Sequence, residues 1–311
     1  MRKSIKVFAP ATISNVGCGF DTIGFAINEP GDIVTLKLRS DDKIRITKIT
    51  GDGGVLPKDV NKNTCSVAIL ELLKNYNSGL IGVDIEIRKK MPIGSGLGSS
   101  AASSVAGVFG LNKLLGDPFN EMEVLDFALK GESIASGAIH ADNVAPCLAG
   151  GFILIRDYNP LEIIKIPVPK NLYCAVVYPH ITIETKKARK LLKKSLPIKA
   201  ARKHFGNIGS LVSALYEGNI ELLSRTIHDE ISEPARSTLI PGYFDIKNSA
   251  IKSGAFGCSI SGSGPSIFAF AKSKIDADKI GLAMKKEVKK NGMKCSTYIS
   301  KINPVGPRIL K

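Results

Sequence analysis

The feature that most constrains the fold of this chain is a glycine-rich turn between a strand pattern and a helix pattern. "IGVDIEIRKK" (81–90) alternates apolar and polar residues, which predicts a strand with one exposed face. "MPIGSGLGSS" (91–100) follows directly, and from Ser100 small and apolar residues keep helical spacing until Gly116 and Pro118. Strand, glycine turn and helix start bring bare backbone N–H groups to the positive end of a helix. This order is typical of a phosphate-binding site.

Three glycines of the turn, Gly94, Gly96 and Gly98, supply the freedom that such a site needs. Glycine adopts positive φ without strain, and its missing Cβ lets a phosphate approach the backbone. The turn is not a Walker A loop, because no lysine stands at the required place. It is not a dinucleotide fingerprint either, because Ser99 replaces the third glycine. On spacing alone, a packing turn that binds no ligand stays the alternative.

Two further glycine-rich stretches favour the ligand-binding interpretation. "PATISNVGCGFDTIG" (10–24) lies near the start of the chain, and "GAFGCSISGSGPSIFAF" (254–270) lies near the end. Each stretch alone is a weak signal. Their distribution over both halves predicts a cleft between two domains, walled by backbone amides.

The periodicities predict an α+β chain of two domains, 1–166 and 167–311, with a boundary near "IPVPKN". In the first part we expect strands up to about residue 49, helices at 63–76 and 120–137, and a hairpin of "GGFILIRDY" with "LEIIKIPVP". In the second part we expect strands at 172–179, 265–271 and 295–301, and helices at 185–196, around 204–233, at 242–253 and at 276–291.

The net charge of +15, from 43 basic and 28 acidic residues, raises the question of an anionic partner. Aromatic residues make up only 6% of the chain, tryptophan is absent, and the lysines are spread along the sequence. The densest basic cluster, 185–196, has the spacing of an amphipathic helix with its lysines outside. A solvated basic surface is therefore favoured over nucleic-acid binding, and no nucleic-acid partner is expected.

Other composition signals are negative. The six cysteines and four histidines lack metal-ligand spacing, which favours reduced, buried thiols over a structural zinc. No apolar run is long enough to span a membrane, and the start of the chain has no signal-peptide core, so a cytoplasmic protein without membrane association is expected.

The three glycine-rich stretches together resemble the GHMP kinases. Their signature P-x-x-x-G-L-G-S-S-A-A is matched by Pro92, Gly96, Leu97, Gly98, Ser99, Ser100, Ala101 and Ala102. Within these kinases the chain is most similar to the homoserine kinase type, over essentially its whole length. That similarity lies in "PATISNVGCGFDTIGFAI", "HADNVAPCLAGG" (140–151), "TKKAR" (185–189), "EPARSTLIPG" (233–242) and "INPVGPRIL". Cys18 and Pro307 are local departures.

The resemblance implies ATP-dependent phosphorylation of the L-homoserine hydroxyl to O-phospho-L-homoserine, a step of threonine biosynthesis. It implies an N-terminal ATP-binding domain like domain 2 of ribosomal protein S5 and a C-terminal ferredoxin-like α/β sandwich, with the active site between them. A cytoplasmic homodimer that uses Mg²⁺ is also implied.

The resemblance also implies residues that bind the nucleotide. Asn63 and Lys89 would line the adenine pocket. The triphosphate would lie on Pro92, Ile93, Gly94, Ser95, Gly96, Leu97, Gly98, Ser99 and Ser100. Mg²⁺ would bind Ser100, or its neighbour Ser99, together with Glu132.

Homoserine is a zwitterion, so its site needs an anionic group for the ammonium and a bidentate cation for the carboxylate. Asp21 with Asn15 and Asn143 fits the first need, and Arg189 and Arg236 fit the second. His140 and Thr185 also match positions that line the substrate in the family.

Asn143 stands where sister kinases present an aspartate that can act as a base, and an amide cannot accept a proton at neutral pH. The neighbouring Asp142 is expected to point elsewhere. We therefore expect Asn143, Glu132, Ser100 and Arg189 to catalyse by alignment and charge stabilisation, without a dedicated side-chain base.

Three alternatives are left open by the sequence. Another small-alcohol kinase of the family, of the mevalonate or shikimate type, would have the same loop but no use for Asp21. A non-catalytic, nucleotide-binding regulator would lack turnover, although Ser99, Ser100 and Glu132 are intact. A basic nucleic-acid module would bind with a steep salt dependence.

Overall fold

The computed structural model describes residues 3–77, 79, 81–137 and 139–311. The first half of the chain forms β1 (Ser4–Asn15), β2 (Gly19–Leu38), β3 (Ile44–Thr50), α1 (Thr64–Lys74), β4 (Val83–Arg88), α2 (Ser99–Leu114), α3 (Glu121–Ser136), α4 (Ala141–Ala149), β5 (Phe152–Tyr158) and β6 (Leu161–Ile166). The second half forms β7 (Tyr173–Pro179), α5 (Thr185–Lys190), α6 (Ile198–Glu217), α7 (Ile220–Thr226), α8 (Glu233–Arg236) with a 3₁₀ turn at Ser237–Leu239, α9 (Tyr243–Lys252), β8 (Cys258–Ile260), β9 (Ile267–Ala271), α10 (Lys274–Lys290), β10 (Cys295–Lys301) and β11 (Arg308–Leu310).

The first sheet is built around β2, which pairs with β1, β4 and β5 along different parts of its length. Its strand order is β11-β1-β2-β4-β3, and β6 extends it beyond β5. On β4, Val83, Ile85 and Ile87 are buried while the residues between them are not, as the alternating sequence predicts. Helices α1 to α4 pack on one another, and α2 and α4 also pack on β1 and β2. The glycine turn therefore joins the end of β4 to the start of a central helix.

Local signals in the sequence explain where the helices of this layer begin. The Asn63 side chain accepts the N–H of Cys65 at the start of α1. Asn120 and Glu123 form a capping box at the start of α3. The glycine turn is different, because Gly98 is the N-cap of α2 and has no side chain to satisfy the first N–H groups.

The second sheet is antiparallel, in the order β10-β7-β9-β8, with α10 packed on β7, β9 and β10 and α9 on β8. Four phenylalanine rings join the two sheets. The centroid of Phe25 lies 4.7 Å from that of Phe152, 5.9 Å from that of Phe268 and 5.3 Å from that of Phe270. One hydrophobic core therefore runs from the first sheet into the second.

Most of the expected elements are confirmed, including the early strands, the hairpin of β5 with β6, and the α+β alternation. The last strand, β11, returns to the first sheet, where Lys6 pairs with Leu310. The sequence-based division at residue 166 stays a prediction, and it places β11 with the second domain although its partners belong to the first sheet. Among the described residues no helix has the length and apolar character to cross a membrane.

The structure differs from the expected elements in two places. The helix expected at 185–196 is wrong beyond Lys190, where α5 ends. Only Ala188 of α5 is buried and Leu191 is 45% exposed, so a longer helix would gain little packing. In addition, the stretch 140–151, to which the sequence pattern assigned no element, contains helix α4 with Pro146 inside it.

Candidate active site

A cleft of about 580 Å³ is lined by residues from both halves of the chain. Most residues that the sequence predicts for the site line this cleft. They are Asn15, Asp21, Asn63, Lys89, Ile93, Gly94, Ser95, Gly96, Gly98, Ser99, Ser100, Glu132, His140, Asn143, Thr185, Arg189 and Arg236.

Two predicted residues, Pro92 and Leu97, do not line the cleft. Leu97 is fully buried in the hydrophobic core. Its carbonyl accepts the N–H of Thr12 at 3.1 Å, which ties the turn to β1. The geometry of Leu97 therefore supports a role in shaping the turn rather than in contacting a ligand.

The glycine turn is held by close packing on both sides. Gly96 and Gly98 have φ of 77° and 66°. A Cβ on Gly96 would lie 2.5 Å from the carbonyl oxygen of Ser261, and one on Gly98 would lie 2.1 Å from Oγ1 of Thr12. Both positions therefore need glycine for its conformation and for its size.

The three glycine-rich stretches meet at this turn. Ser261 Oγ donates to the carbonyl of Gly96 at 2.5 Å, and the N–H of Ser266 donates to the carbonyl of Ser95 at 3.1 Å. The side chain of Asn15 donates to the carbonyl of Gly262 at 3.1 Å. The cleft predicted from the three stretches is present.

The turn offers groups that an anion can bind. The buried Oγ of Ser95 has no hydrogen-bond partner within the described part of the chain. The uncapped start of α2 adds N–H groups and the positive end of the helix dipole. This geometry suits the phosphates of a nucleotide.

Ser100 and Glu132 lie together at the cleft and fit a magnesium ion. Ser100 Oγ donates to Glu132 Oε1 at 2.9 Å, and Glu132 is only 4% exposed. A hydroxyl and a carboxylate are the hard oxygen donors that Mg²⁺ prefers, with its other positions left to water and phosphate. Ser99 is less suited, because its Oγ donates to Asp32 Oδ2 at 2.9 Å.

The two residues expected at an adenine pocket border the cleft, but their polar groups are engaged by the protein. Asn63 caps α1 and donates to the carbonyl of Pro57 at 3.0 Å. The Lys89 ammonium forms an ion pair with Asp32 and donates to Ser103 Oγ at 2.7 Å. Sequence reasoning missed Asp32, although a signal exists, since an acidic residue there shares the buried face of β2 with Val34.

The charged groups expected at opposite ends of a zwitterionic substrate pair directly with each other. Arg189 Nη2 lies 2.9 and 3.0 Å from the two carboxylate oxygens of Asp21. Asp21 itself has a φ of 55°, and its backbone is fixed by Asn15 Oδ1, which accepts its N–H, and by Tyr158, whose hydroxyl donates to its carbonyl. The strained backbone of Asp21 is typical of a functional position.

Arg236 is buried, 3% exposed, and donates to the carbonyl of Gly262 at 2.8 Å. Burial lowers the pKa of its guanidinium, while the charges of Asp21 and Asp229 oppose that shift. Phe20 lies between the two arginines, with its ring centroid 5.3 Å from Cζ of Arg236 and 5.8 Å from Cζ of Arg189.

Asp142 does not point away from the site, so that expectation is wrong. It lines the same cleft as Asn143, because both lie in the first turn of α4. Burial, followed by the charge of Asp21, raises the pKa of Asp142 to about 6. Burial also acts to lower the pKa of His140, but the hydrogen bond to Glu132 and the charges of Asp142 and Glu132 outweigh it and raise that pKa.

The amide of Asn143 is oriented by two hydroxyl groups of β1. Thr12 Oγ1 donates to Asn143 Oδ1 at 2.9 Å, and Asn143 Nδ2 donates to Ser14 Oγ at 3.0 Å. An amide oxygen and nitrogen can each form one further hydrogen bond. Asn143 is therefore held in one orientation while it can still bond a ligand.

Comparison with known proteins gives matches to one family along the whole chain. The family model described as GHMP kinases N terminal domain matches residues 63–151, and the one described as GHMP kinases C terminal matches residues 211–290. A homoserine kinase of Chlorobium phaeobacteroides (strain BS1) is 45% identical over 319 residues, covering 99% of this chain and 100% of that protein.

Solved structures give the same result. The crystal structure of a homoserine kinase from Cytophaga hutchinsonii superposes with a TM-score of 0.97 at 52% identity, covering 100% of this chain and 98% of that one. The crystal structure of L. major mevalonate kinase in complex with R-mevalonate superposes with a TM-score of 0.73 at 20% identity, covering 97% and 98% of the two chains. The second match shows the shared fold alone.

We expect Gly96→Ala to abolish binding of inorganic tripolyphosphate in the cleft. The added Cβ would lie 2.5 Å from a backbone oxygen, at a φ of 77° that alanine rarely adopts. Isothermal titration calorimetry with tripolyphosphate measures the effect.

Gly209→Ala is the matched control for this substitution. Gly209 lies in α6 with open space around an added Cβ. Its replacement should raise the free energy of unfolding by about 0.5–1 kcal/mol and leave tripolyphosphate binding unchanged. Equal binding by Gly96→Ala and the unchanged protein would contradict the role assigned to the turn.

Proposed function

The chain belongs to the GHMP kinases, and we propose that it transfers the γ-phosphoryl group of ATP to the side-chain hydroxyl of L-homoserine. The product is O-phospho-L-homoserine, a precursor in threonine biosynthesis. The observation that carries the proposal is the cleft, where an uncapped glycine turn lies near both carboxylates and guanidinium groups. The 45% identity to a homoserine kinase over 99% of the chain supports the same substrate.

The charges of the cleft match those of a free amino acid. The carboxylates of Asp21 and Asp142 suit an ammonium, and the guanidinium groups of Arg189 and Arg236 suit a carboxylate. In the ligand-free protein Arg189 is paired with Asp21. A bound zwitterion supplies both partners at once, with its ammonium at Asp21 and its carboxylate at Arg189, so no charge loses its counter-ion.

The nucleotide end of the cleft is formed by the glycine turn. The backbone N–H groups of residues 93–100 and the start of α2 hold the polyphosphate. Ser100 and Glu132 would hold Mg²⁺, which would supply positive charge against the phosphates. Asn63 contributes to the pocket by capping α1. Its side-chain amide bonds to the protein rather than to the nucleotide.

The hydroxyl is activated by alignment rather than by a base. In a loose phosphoryl-transfer transition state the acceptor oxygen gains little charge before bond formation, so its proton leaves late, to solvent. Asn143, fixed by Thr12 and Ser14, orients the hydroxyl. Arg189, released from Asp21 when substrate binds, holds the substrate carboxylate and so fixes the position of the hydroxyl relative to the phosphate.

Asp142 contributes charge to the substrate site. Although its pKa is raised to about 6, Asp142 is still mostly ionised at neutral pH, and it becomes protonated in mild acid. His140 and Thr185 complete the wall of the substrate end of the cleft. As the family resemblance implies, the proposed enzyme works in the cytoplasm as a homodimer.

A mevalonate-type kinase is the second candidate, since the fold is shared with such an enzyme. Mevalonate has a carboxylate but no ammonium, so Asp21 and Asp142 would be useless or repulsive there. Both lie in the cleft, which favours the amino acid.

A coupled assay of ADP release at saturating Mg–ATP tests the substrate. We expect homoserine to be the best acceptor in a panel with mevalonate, shikimate, galactose and threonine. Asp21→Ala should raise KM for homoserine by about 10–100-fold, because one charged hydrogen bond to the ammonium is lost. Turnover of mevalonate above that of homoserine would overturn the assignment, and ATP binding without turnover of any acceptor would indicate a regulator.

Asn143→Ala should lower kcat by about 10²–10³, because one aligned group at the reacting hydroxyl is lost. Steady-state kinetics at saturating homoserine measure this change. Asn207→Ala, on α6 outside the cleft, is the control and should keep kcat. A kcat for Asn143→Ala equal to that of the unchanged enzyme would remove Asn143 from the mechanism.

The pH dependence of kcat/KM for homoserine should show an acidic limb with its midpoint near the Asp142 pKa of about 6. Above this pH the carboxylate is ionised and attracts the ammonium, and below it the carboxylate is protonated and the attraction is lost. In Asp142→Asn the limb should disappear while kcat at neutral pH changes little. A limb that persists in this variant would belong to His140, and a collapse of kcat would make Asp142 a base.

A further inference from the structure

A fully buried ion pair lies beneath the glycine turn. Asp32 of β2 is 0% exposed and Lys89, just after β4, is 5% exposed. The Lys89 ammonium contacts Asp32 Oδ2. Taking two charges out of water is costly, and a well-packed apolar pair at such a place is often as stable. The stability of the folded chain therefore does not by itself explain why this pair is charged rather than apolar.

Asp32 connects the two ends of the turn. Its Oδ1 accepts the backbone N–H of Lys90 at 2.7 Å and that of Met91 at 3.0 Å, where the chain enters the turn. Its Oδ2 accepts the hydroxyl of Ser99 at 2.9 Å, where the chain leaves the turn and α2 begins. One carboxylate thus fixes the separation of the two ends.

Lys89 also connects the two ends of the turn, because it stands where the chain enters the turn and bonds to residues where the chain leaves it. Its ammonium donates to the carbonyl of Ser99 and to Oγ of Ser103, both at 2.7 Å. Lys89 borders the cleft and Asp32 does not. The ion pair is therefore oriented, with its positive end toward the cleft and its negative end toward the core.

The orientation has a consequence for an anionic ligand. A lone carboxylate under the turn would oppose the positive potential of the backbone N–H groups above it. The adjacent ammonium cancels that charge on the side that faces the ligand. Glu132, the other acidic group near the start of α2, lies where Mg²⁺ would bind and is offset by it.

We propose that Asp32 and Lys89 are positioning residues for the polyphosphate of the nucleotide: Asp32 sets the spacing of the turn, and Lys89 keeps the turn attractive to anions. The proposal rests on the kinase function proposed above. A residue that acts on the polyphosphate affects affinity more strongly as the ligand carries more phosphates, whereas a contact with adenine affects all adenine ligands equally.

The test compares Lys89→Met, Asp32→Asn and the double variant by calorimetry with ADP, AMP and adenosine, without homoserine. Lys89→Met leaves an uncompensated carboxylate and should weaken ADP binding by about 10–100-fold. AMP should lose less, and adenosine should bind unchanged. Asp32→Asn keeps an oxygen for the N–H groups of Lys90 and Met91 and gains an amide that can donate to Ser99 Oγ, so it removes the charge and preserves the spacing. Adding it to Lys89→Met should therefore restore most of the lost ADP affinity.

Lys113→Met is the matched control. Lys113 lies in the last turn of α2, at the opposite end of the helix from the turn that Lys89 contacts, and its replacement also removes one lysine charge. It should leave the affinities for all three ligands unchanged. In steady-state kinetics Lys89→Met should raise KM for ATP and not that for homoserine.

Equal losses for ADP and adenosine in Lys89→Met would overturn the proposal in favour of a purely structural or adenine-pocket role. If Lys89→Met does not fold, the double variant decides the question. It should bind ADP nearly as well as the unchanged protein. A large loss of ADP affinity in the double variant would contradict the charge argument. Failure of the unchanged protein to bind ADP would instead refute the kinase function itself.

Discussion

The contact between the glycine turn and the backbone of residues 261–264 is the constraint on which the rest of the site depends. The carbonyl of Gly96 accepts the hydroxyl of Ser261, and a single methyl group at Gly96 would collide with that residue. The turn belongs to the first sheet and residues 261–264 to the loop between β8 and β9 of the second. This contact joins the two sheets at the cleft, and the residues proposed to bind the substrate, on β2, α4 and α5, line the same cleft.

Much of the fold was predictable because its elements carry local signals. The alternation of β4, the caps of α1 and α3 and the glycines of the turn are visible in neighbouring residues. Helix α4 was missed because Pro146 interrupts its sequence pattern, and β8 and β11 are too short, at three residues each, for any periodicity. The helix expected at 185–196 ends early, at Lys190, because Leu191, which the amphipathic spacing assigned to the buried face, is exposed.

The identities of the site residues were more predictable than their partners. Asp21 and Arg189 were both expected at the substrate, but they lie 168 positions apart and no local signal indicates that they pair. Asp142 was misjudged, since neighbouring residues in the first turn of a helix can face one cleft. Asp32 was overlooked because a strand pattern is defined by its apolar positions, and the available signal, an acidic residue on the same face as Val34, does not reveal the lysine that pairs with it.

The cluster of Phe25, Phe152, Phe268 and Phe270 has a consequence for how the cleft closes over its ligands. Because these rings form one continuous apolar seam between the sheets, a hinge motion that swung the two halves apart would expose buried aromatic surface to water. The hydrophobic effect therefore opposes any opening of the cleft that separates the two sheets. The short helix α5 carries Arg189 and has one buried residue, Ala188, which packs in the core of the second sheet and not in this seam.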